Sequence, residues 1–242
     1  MKKTLIQIQH LLMIFVIIAM RAYYPPYSSR KFNPILKISK LQAPTSKYNP
    51  IYSSKYGDFR GYASKHFHLN SNGNLVFYMC GKHQRSELRF KYQWIVNTKK
   101  ENALKAQIKI LPLNSKEFTF IQIHSTKTIN KPLLRIAFCK KLRKKINHIW
   151  AIIRLSPTKH SKYIKIDLGR TPKDFFTIKV TVKNSKLTIY LNHKKFYIYV
   201  SSWKNIENYF KAGVYLQSDG CAKAIFKMLK VKYINKHNKS FD

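Results

Sequence analysis

Acidic residues are scarce: nine Asp and Glu stand against 47 Lys and Arg in 242 residues, a formal net charge of +38. No segment gathers several carboxylates, which excludes a calcium cage of the EF-hand kind and any site built from many acids. Seven glycines are few for a chain with many tight turns, so Asn is expected to take some left-handed turn positions. Cysteine is limited to Cys80, Cys139 and Cys221, with no CxxC pair. Cys80 and His83 have a two-residue gap, but no second ligand pair follows at finger spacing, so no zinc motif is present. After residue 22 no run of 18 apolar residues occurs, and nothing there reads as a membrane-spanning helix. No repeat of fixed length is visible.

What is present is ample apolar material. Hydrophobic residues make up 45% and aromatics 14%, enough for a sizeable core in one domain, or at most two small ones. The charge points to a polyanionic partner: nucleic acid, an anionic membrane or an acidic polysaccharide. It does not choose among them, because Ile, Asn, Tyr and Phe are enriched together with Lys, as an AT-rich genome also produces. Residues 1–22 read as a secretory signal peptide. Lys2 and Lys3 form a basic start, Leu11 to Ala19 an apolar run too short for a comfortable span, and Ala19 and Ala22 small residues near a cleavage point. The competing reading is an uncleaved anchor lengthened by Leu5, Ile6 and Ile8, which Gln7, Gln9 and His10 interrupt. The expectation is therefore a secreted, extracellular protein, with one cysteine pair bridged and one thiol left over, the pairing being open. Residues 236–242 read as a polar tail.

Between about 30 and 235 the dominant period is two. Val180 to Leu191 is two alternating runs around Lys183-Asn184-Ser185-Lys186 and reads as a hairpin. Ala103 to Leu111, Tyr163 to Leu168, Lys194 to Val200 and Ala222 to Val231 alternate likewise. Turn signals recur at Asn72-Gly73-Asn74, Pro112, Pro132, Pro157 and Gly169. Many short strands so punctuated predict an all-β sandwich or jelly roll. The basic run Lys140 to Lys145 reads as a solvated loop or strand edge.

Three strands carry an unusual polar face. In Arg85-Ser86-Glu87-Leu88-Arg89, alternation sets Arg85, Glu87 and Arg89 on one side and Leu88 with Phe90 on the other. Arginine is rare here (nine, against 38 lysines), and Arg forks bind carboxylates bidentately with a flanking Glu to orient them. The plain alternative is a surface ion-pair ladder. In Phe118 to His124 the even positions are expected to share a face, so Gln122 and His124 project side by side, about 7 Å apart. An amide beside an imidazole suits a site that binds a carboxylate and moves a proton, although a lone His on a strand is commonly structural. In Tyr209 to Gln217 the odd positions Tyr209, Lys211, Gly213, Tyr215 and Gln217 share a face, and Phe210, Ala212, Val214 and Leu216 are the buried set. Gly213 leaves a gap where a ligand can approach, and a cation near Tyr215, such as Lys211, would favour its phenolate. A plain amphipathic strand with a Tyr ladder competes for this segment.

Taken together, the motifs RSELR at 85–89, QIH at 122–124 and YFKAGVYLQ at 209–217 resemble those of the alginate lyases of polysaccharide lyase family 7, in the same order. Ile38 to Pro44, Asn74 to Phe77, Pro132 to Ile136, Leu168 to Ile178 and Ser202-Trp203 also resemble family segments, so the likeness covers most of residues 30–235. Phe90 departs from the acidic residue that often follows RSELR. The resemblance implies a β-jelly roll whose concave sheet carries the three motifs. It implies β-elimination on a 1,4-linked polyuronate, alginate, without a metal or cofactor. It assigns catalysis to Arg85, Gln122, His124 and Tyr215, and substrate binding to Glu87, Arg89, Lys211, Tyr209 and Gln217. Arg85 and Gln122 neutralise the substrate carboxylate, Tyr215 is the acid (and the base when both events occur on one side of the ring), and His124 is the base for guluronate. Lys211 is expected to hold a carboxylate or to tune Tyr215. QIH, rather than QVH, leans toward a guluronate-containing substrate. A monomer with an anionic polysaccharide as partner follows, with neither nucleic acid nor stable membrane insertion expected. The alternatives are a non-catalytic polysaccharide-binding jelly roll, a nucleic-acid binder suggested by charge alone, and a lyase for glucuronan or another acidic glycan.

Overall fold

The computed structural model describes residues 23–45, 52–126 and 131–233. The expected signal segment and polar tail lie outside the described residues. After a 3-10 turn at Pro26–Ser28 and a short helix α1 (Asn33–Lys37), the regular elements are strands, apart from one further 3-10 turn at Ser201–Trp203. In order these are β1 (Ser39–Thr45), β2 (Phe67–Leu69), β3 (Leu75–Cys80), β4 (Arg85–Phe90), β5 (Asn102–Leu111), β6 (Glu117–Ser125) and β7 (Pro132–Leu142). They continue with β8 (Lys145–Arg154), β9 (Tyr163–Arg170), β10 (Phe176–Lys183), β11 (Lys186–Leu191), β12 (Lys194–Tyr199), β13 (Asn208–Leu216) and β14 (Cys221–Lys232).

Two antiparallel sheets of seven strands face each other, in the orders β1-β4-β13-β6-β7-β8-β9 and β12-β11-β10-β5-β14-β3-β2. This is the expected all-β jelly roll. Alternation explains the layering, because successive side chains point to opposite faces. Ile178, Val180 and Val182 of β10 and Leu187 and Ile189 of β11 meet Leu88, Phe210, Ala212 and Val214 of the other sheet in one core. Only Asn184 and Ser185 separate β10 from β11, both at positive φ (49° and 58°), and Lys183 pairs with Lys186. Such a two-residue turn matches strand twist, and Asn tolerates it without glycine. The basic run 140–145 forms the tip of the β7–β8 hairpin, with Leu142 opposite Lys145 and Arg143 and Lys144 at positive φ.

Two expectations are corrected. Gly169 does not end a strand. It lies inside β9 at φ 118°, beside a register shift between Ile149 and Trp150 of β8. In β6 the even positions do not share one face. A bulge between Thr119 and Ile121 puts both Phe120 and Ile121 into the core. The extra residue resets the alternation, so Phe118 and Phe120 point inward while Gln122 and His124 point to the concave face. The open cysteine question resolves as Cys80–Cys221, which joins the register partners of β3 and β14 across 141 residues of sequence. Cys139 is free and buried, and burial pushes its thiol up to about 12, so it stays protonated.

Candidate active site

The three motif strands are neighbours. β13 lies between β4 and β6, so each site residue has a defined cross-strand partner. Lys211 stands between Arg89 and Gln122, Tyr215 between Arg85 and Thr119, and Tyr209 beside His124. Gly213 faces Glu87 at φ 146°. A Cβ there would overlap the Ser86 carbonyl oxygen and lie 2.5 Å from the Glu87 Cα, so only glycine lets β13 approach β4 this closely.

Glu87 organises the cluster. It is 2% exposed, and its Oε1 accepts the Lys211 ammonium while its Oε2 accepts Gln122 Nε2 at 2.8 Å. Arg85 Nη1 is 3.5 Å from the same Oε1. A carboxylate this buried is tolerated because several donors share it. Lys211 is buried too. Burial drives its ammonium down to about 8, with Glu87 opposing the fall. Lys211, expected to hold a carboxylate or to tune Tyr215, pairs here with the Glu87 carboxylate. The cation against the Tyr215 ring is Arg85, its guanidinium 4.6 Å from the centroid.

A second stack adjoins the first. The Arg89 guanidinium lies 4.1 Å over the Tyr209 ring, and that ring stacks on His124 at 5.5 Å. Tyr209 is buried, which pushes its phenol up to about 12 and keeps it neutral. Its place beneath Arg89 and beside His124 makes it a support for both. His124 Nδ1 lies 3.0 Å from the Ser125 carbonyl oxygen. A carbonyl only accepts, so Nδ1 carries the proton and Nε2 keeps its lone pair. Burial, followed by the nearby Lys211 charge, lowers the imidazolium to about 4, so the ring is neutral at ordinary pH.

Gln217 lies at the far end of the face, its Oε1 accepting Thr119 Oγ1 at 2.8 Å. There the structure adds residues that sequence reasoning passed over. Arg135 Nη1 is 2.9 Å from Glu117 Oε1 and donates to Thr119 Oγ1 at 3.2 Å. Arg135 pairs with Gln122 across β6 and β7. The available signal was its rarity: it is one of nine arginines and stands in the PLLRI segment. All nine expected site residues thus fall on one sheet face. Glu87, Lys211 and Tyr209 form its buried support, while Arg85, Arg89, His124 and Tyr215 retain some exposure.

Residues 36–233 match the sequence profile of the family described as alginate lyase. An alginate lyase of Photobacterium sp. (strain ATCC 43367) is 30% identical over 246 residues, covering 85% of this chain and 86% of its own length. The solved alginate lyase AlyC3 is 26% identical with a TM-score of 0.78, over 87% of this chain and 96% of its own. Alginate lyase PA1167 from Pseudomonas aeruginosa shares the fold, with a TM-score of 0.70 at 22% identity over 82% of this chain and 99% of its own. With the motifs, the jelly roll and these relatives in agreement, the chain belongs to the alginate lyase family, polysaccharide lyase family 7.

Proposed function

We propose that this protein is a secreted lyase that cleaves alginate by β-elimination, with Arg85, Gln122, His124 and Tyr215 as its catalytic groups. The observation that carries the reading is the joining of guanidinium, amide, imidazole and phenol from β4, β6 and β13 on one face around the Glu87 carboxylate. The reaction removes the C5 proton of a uronate and expels the C4 oxygen. That proton is weakly acidic, because the enolate-like intermediate puts a second negative charge beside the carboxylate. Donors aimed at the carboxylate stabilise that charge more in the transition state than in the ground state. Arg85 and Gln122 supply them, each held in place by Glu87. Neutral His124, with Nε2 unprotonated, accepts the proton when base and acid act on opposite sides of the ring. Tyr215 protonates the leaving oxygen, and takes the C5 proton as well when both events share a side.

Secretion is supported by the character of residues 1–22 and by the Cys80–Cys221 disulfide, which suits an oxidising compartment. QIH leans toward guluronate-containing alginate. A second reading, mannuronate, is favoured by the relative AlyC3, which was solved in complex with dimannuronate. The deciding experiment incubates the purified protein with polymannuronate, polyguluronate, glucuronan and hyaluronan and follows the ultraviolet absorbance of the new double bond. Tyr215→Phe is expected to lose nearly all turnover, on the order of 10²–10⁴-fold for a general acid–base group, with its fold intact. Unchanged turnover in that variant, or no absorbance rise with any uronate, would refute the assignment.

A further inference from the structure

The opposite side of the sandwich carries its own pattern. On the outward face of the second sheet, cross-strand register sets Lys230 opposite Lys105, Lys105 opposite Lys179, Lys179 opposite Tyr190, and Tyr190 opposite Lys195. These five residues make one transverse row across β14, β5, β10, β11 and β12, with about 4.8 Å between strands. A parallel row ends on Tyr197, and a third joins Lys183, Lys186 and Tyr199. Tyr197 and Tyr199 are 59% and 63% exposed, and the Lys186 ammonium lies 4.2 Å over the Tyr197 ring. No acidic residue stands on this face of the five strands. The nearby acids are Glu101, 3.3 Å from Lys179, and Asp174, 3.4 Å from Lys109, both before the strands begin. Like charges directly opposite each other destabilise a sheet. One carboxylate for three aligned lysines leaves most of that repulsion uncompensated, and nothing in the fold requires it.

We propose that this face is a second, non-catalytic binding surface for a polyuronate chain lying across the strands; the occupant's identity rests on the alginate reading above. A polyuronate presents one carboxylate per sugar, which matches successive lysines along a row. Its pyranose rings have apolar faces that rest on exposed phenols. The surface belongs to the other sheet from the catalytic groups, so it holds polymer without occupying the site and keeps the enzyme on its insoluble or gelled substrate.

The test is the triple variant Lys105→Gln, Lys195→Gln, Lys230→Gln, with Tyr197→Ala, Tyr199→Ala as a second variant. Both are assayed for retention on calcium-alginate beads and for turnover of polymer and of short oligouronates. The expected result is retention and polymer turnover reduced by on the order of tenfold or more, with oligouronate turnover unchanged. Thermal stability of the triple variant should equal or exceed the parent's, because the repulsive row is gone. Undiminished retention would overturn the inference, as would tighter binding of the parent face to duplex DNA or phosphatidylserine vesicles than to alginate. Absence of oligouronate turnover in the parent protein would instead remove the alginate reading, and bead retention would then judge the surface by itself.

Discussion

Replacing Glu87 by Gln tests whether one carboxylate holds the catalytic face together. The substitution keeps the shape and removes the charge that accepts Lys211, Gln122 and Arg85. Lys211 is then a buried cation without a counter-ion, and losing one partner of a buried pair costs roughly 3–5 kcal/mol. A further signature separates this cause from loose packing. In the parent, the Lys211 ammonium titrates near 8, lowered by burial and held up by Glu87. Without Glu87 it falls further. A lysine depressed in the folded state binds its proton less well there than in the unfolded chain, so stability rises with pH from the folded value toward about 10.4. In the parent this rise begins near 8; in the variant it begins lower. If the variant's Lys211 is neutral at pH 7, about 1 kcal/mol of the stability gap present at pH 7 closes by about pH 10. Urea unfolding followed by circular dichroism at both pH values measures it. A loss under about 1 kcal/mol, or a gap that is equally wide at both pH values, refutes the reasoning.

Gly213→Ala should destabilise by about 3 kcal/mol or more and reduce turnover, since the new methyl overlaps β4 at φ 146°; equal unfolding midpoints for parent and variant would contradict this. His124 should titrate near 4 by imidazole NMR, because burial disfavours its cation. Its contribution to stability is then complete above about 6.5 and lost as pH falls through 4, and an NMR midpoint above 6 would show that the ring is not shielded as described. Cys80→Ser should cost about 5 kcal/mol, the chain-entropy value for a loop of this length, and a melting temperature equal to the parent's would count against it.

The sandwich and the three motif strands were legible because alternation is local. Val180 to Leu191 declared its hairpin, and β13 sorted its odd and even positions as alternation requires. The β6 bulge leaves only a small mark in the sequence, the adjacent apolar pair Phe120-Ile121 that breaks the alternation of Phe118 to His124, and its place is fixed by pairing with β7. Glu87 stands out in the sequence for its charge, yet its role depends on the third dimension. Lys211 and Gln122 lie far from it in sequence and reach it only through the strand order β4-β13-β6. The same holds for Cys80 and Cys221, which three cysteines alone do not pair. Arg135 carries no short-motif signal, because its partners Glu117 and Thr119 sit on the preceding strand.

Residues 85 to 217, which include every proposed catalytic group, lie between the two half-cystines at 80 and 221. The machinery therefore sits inside a covalently closed ring. A protease that nicks any single peptide bond in that ring leaves both fragments tethered through sulfur, each still bonded into its sheets. If the enzyme is secreted, as proposed above, a first cut need not be the end of the working molecule.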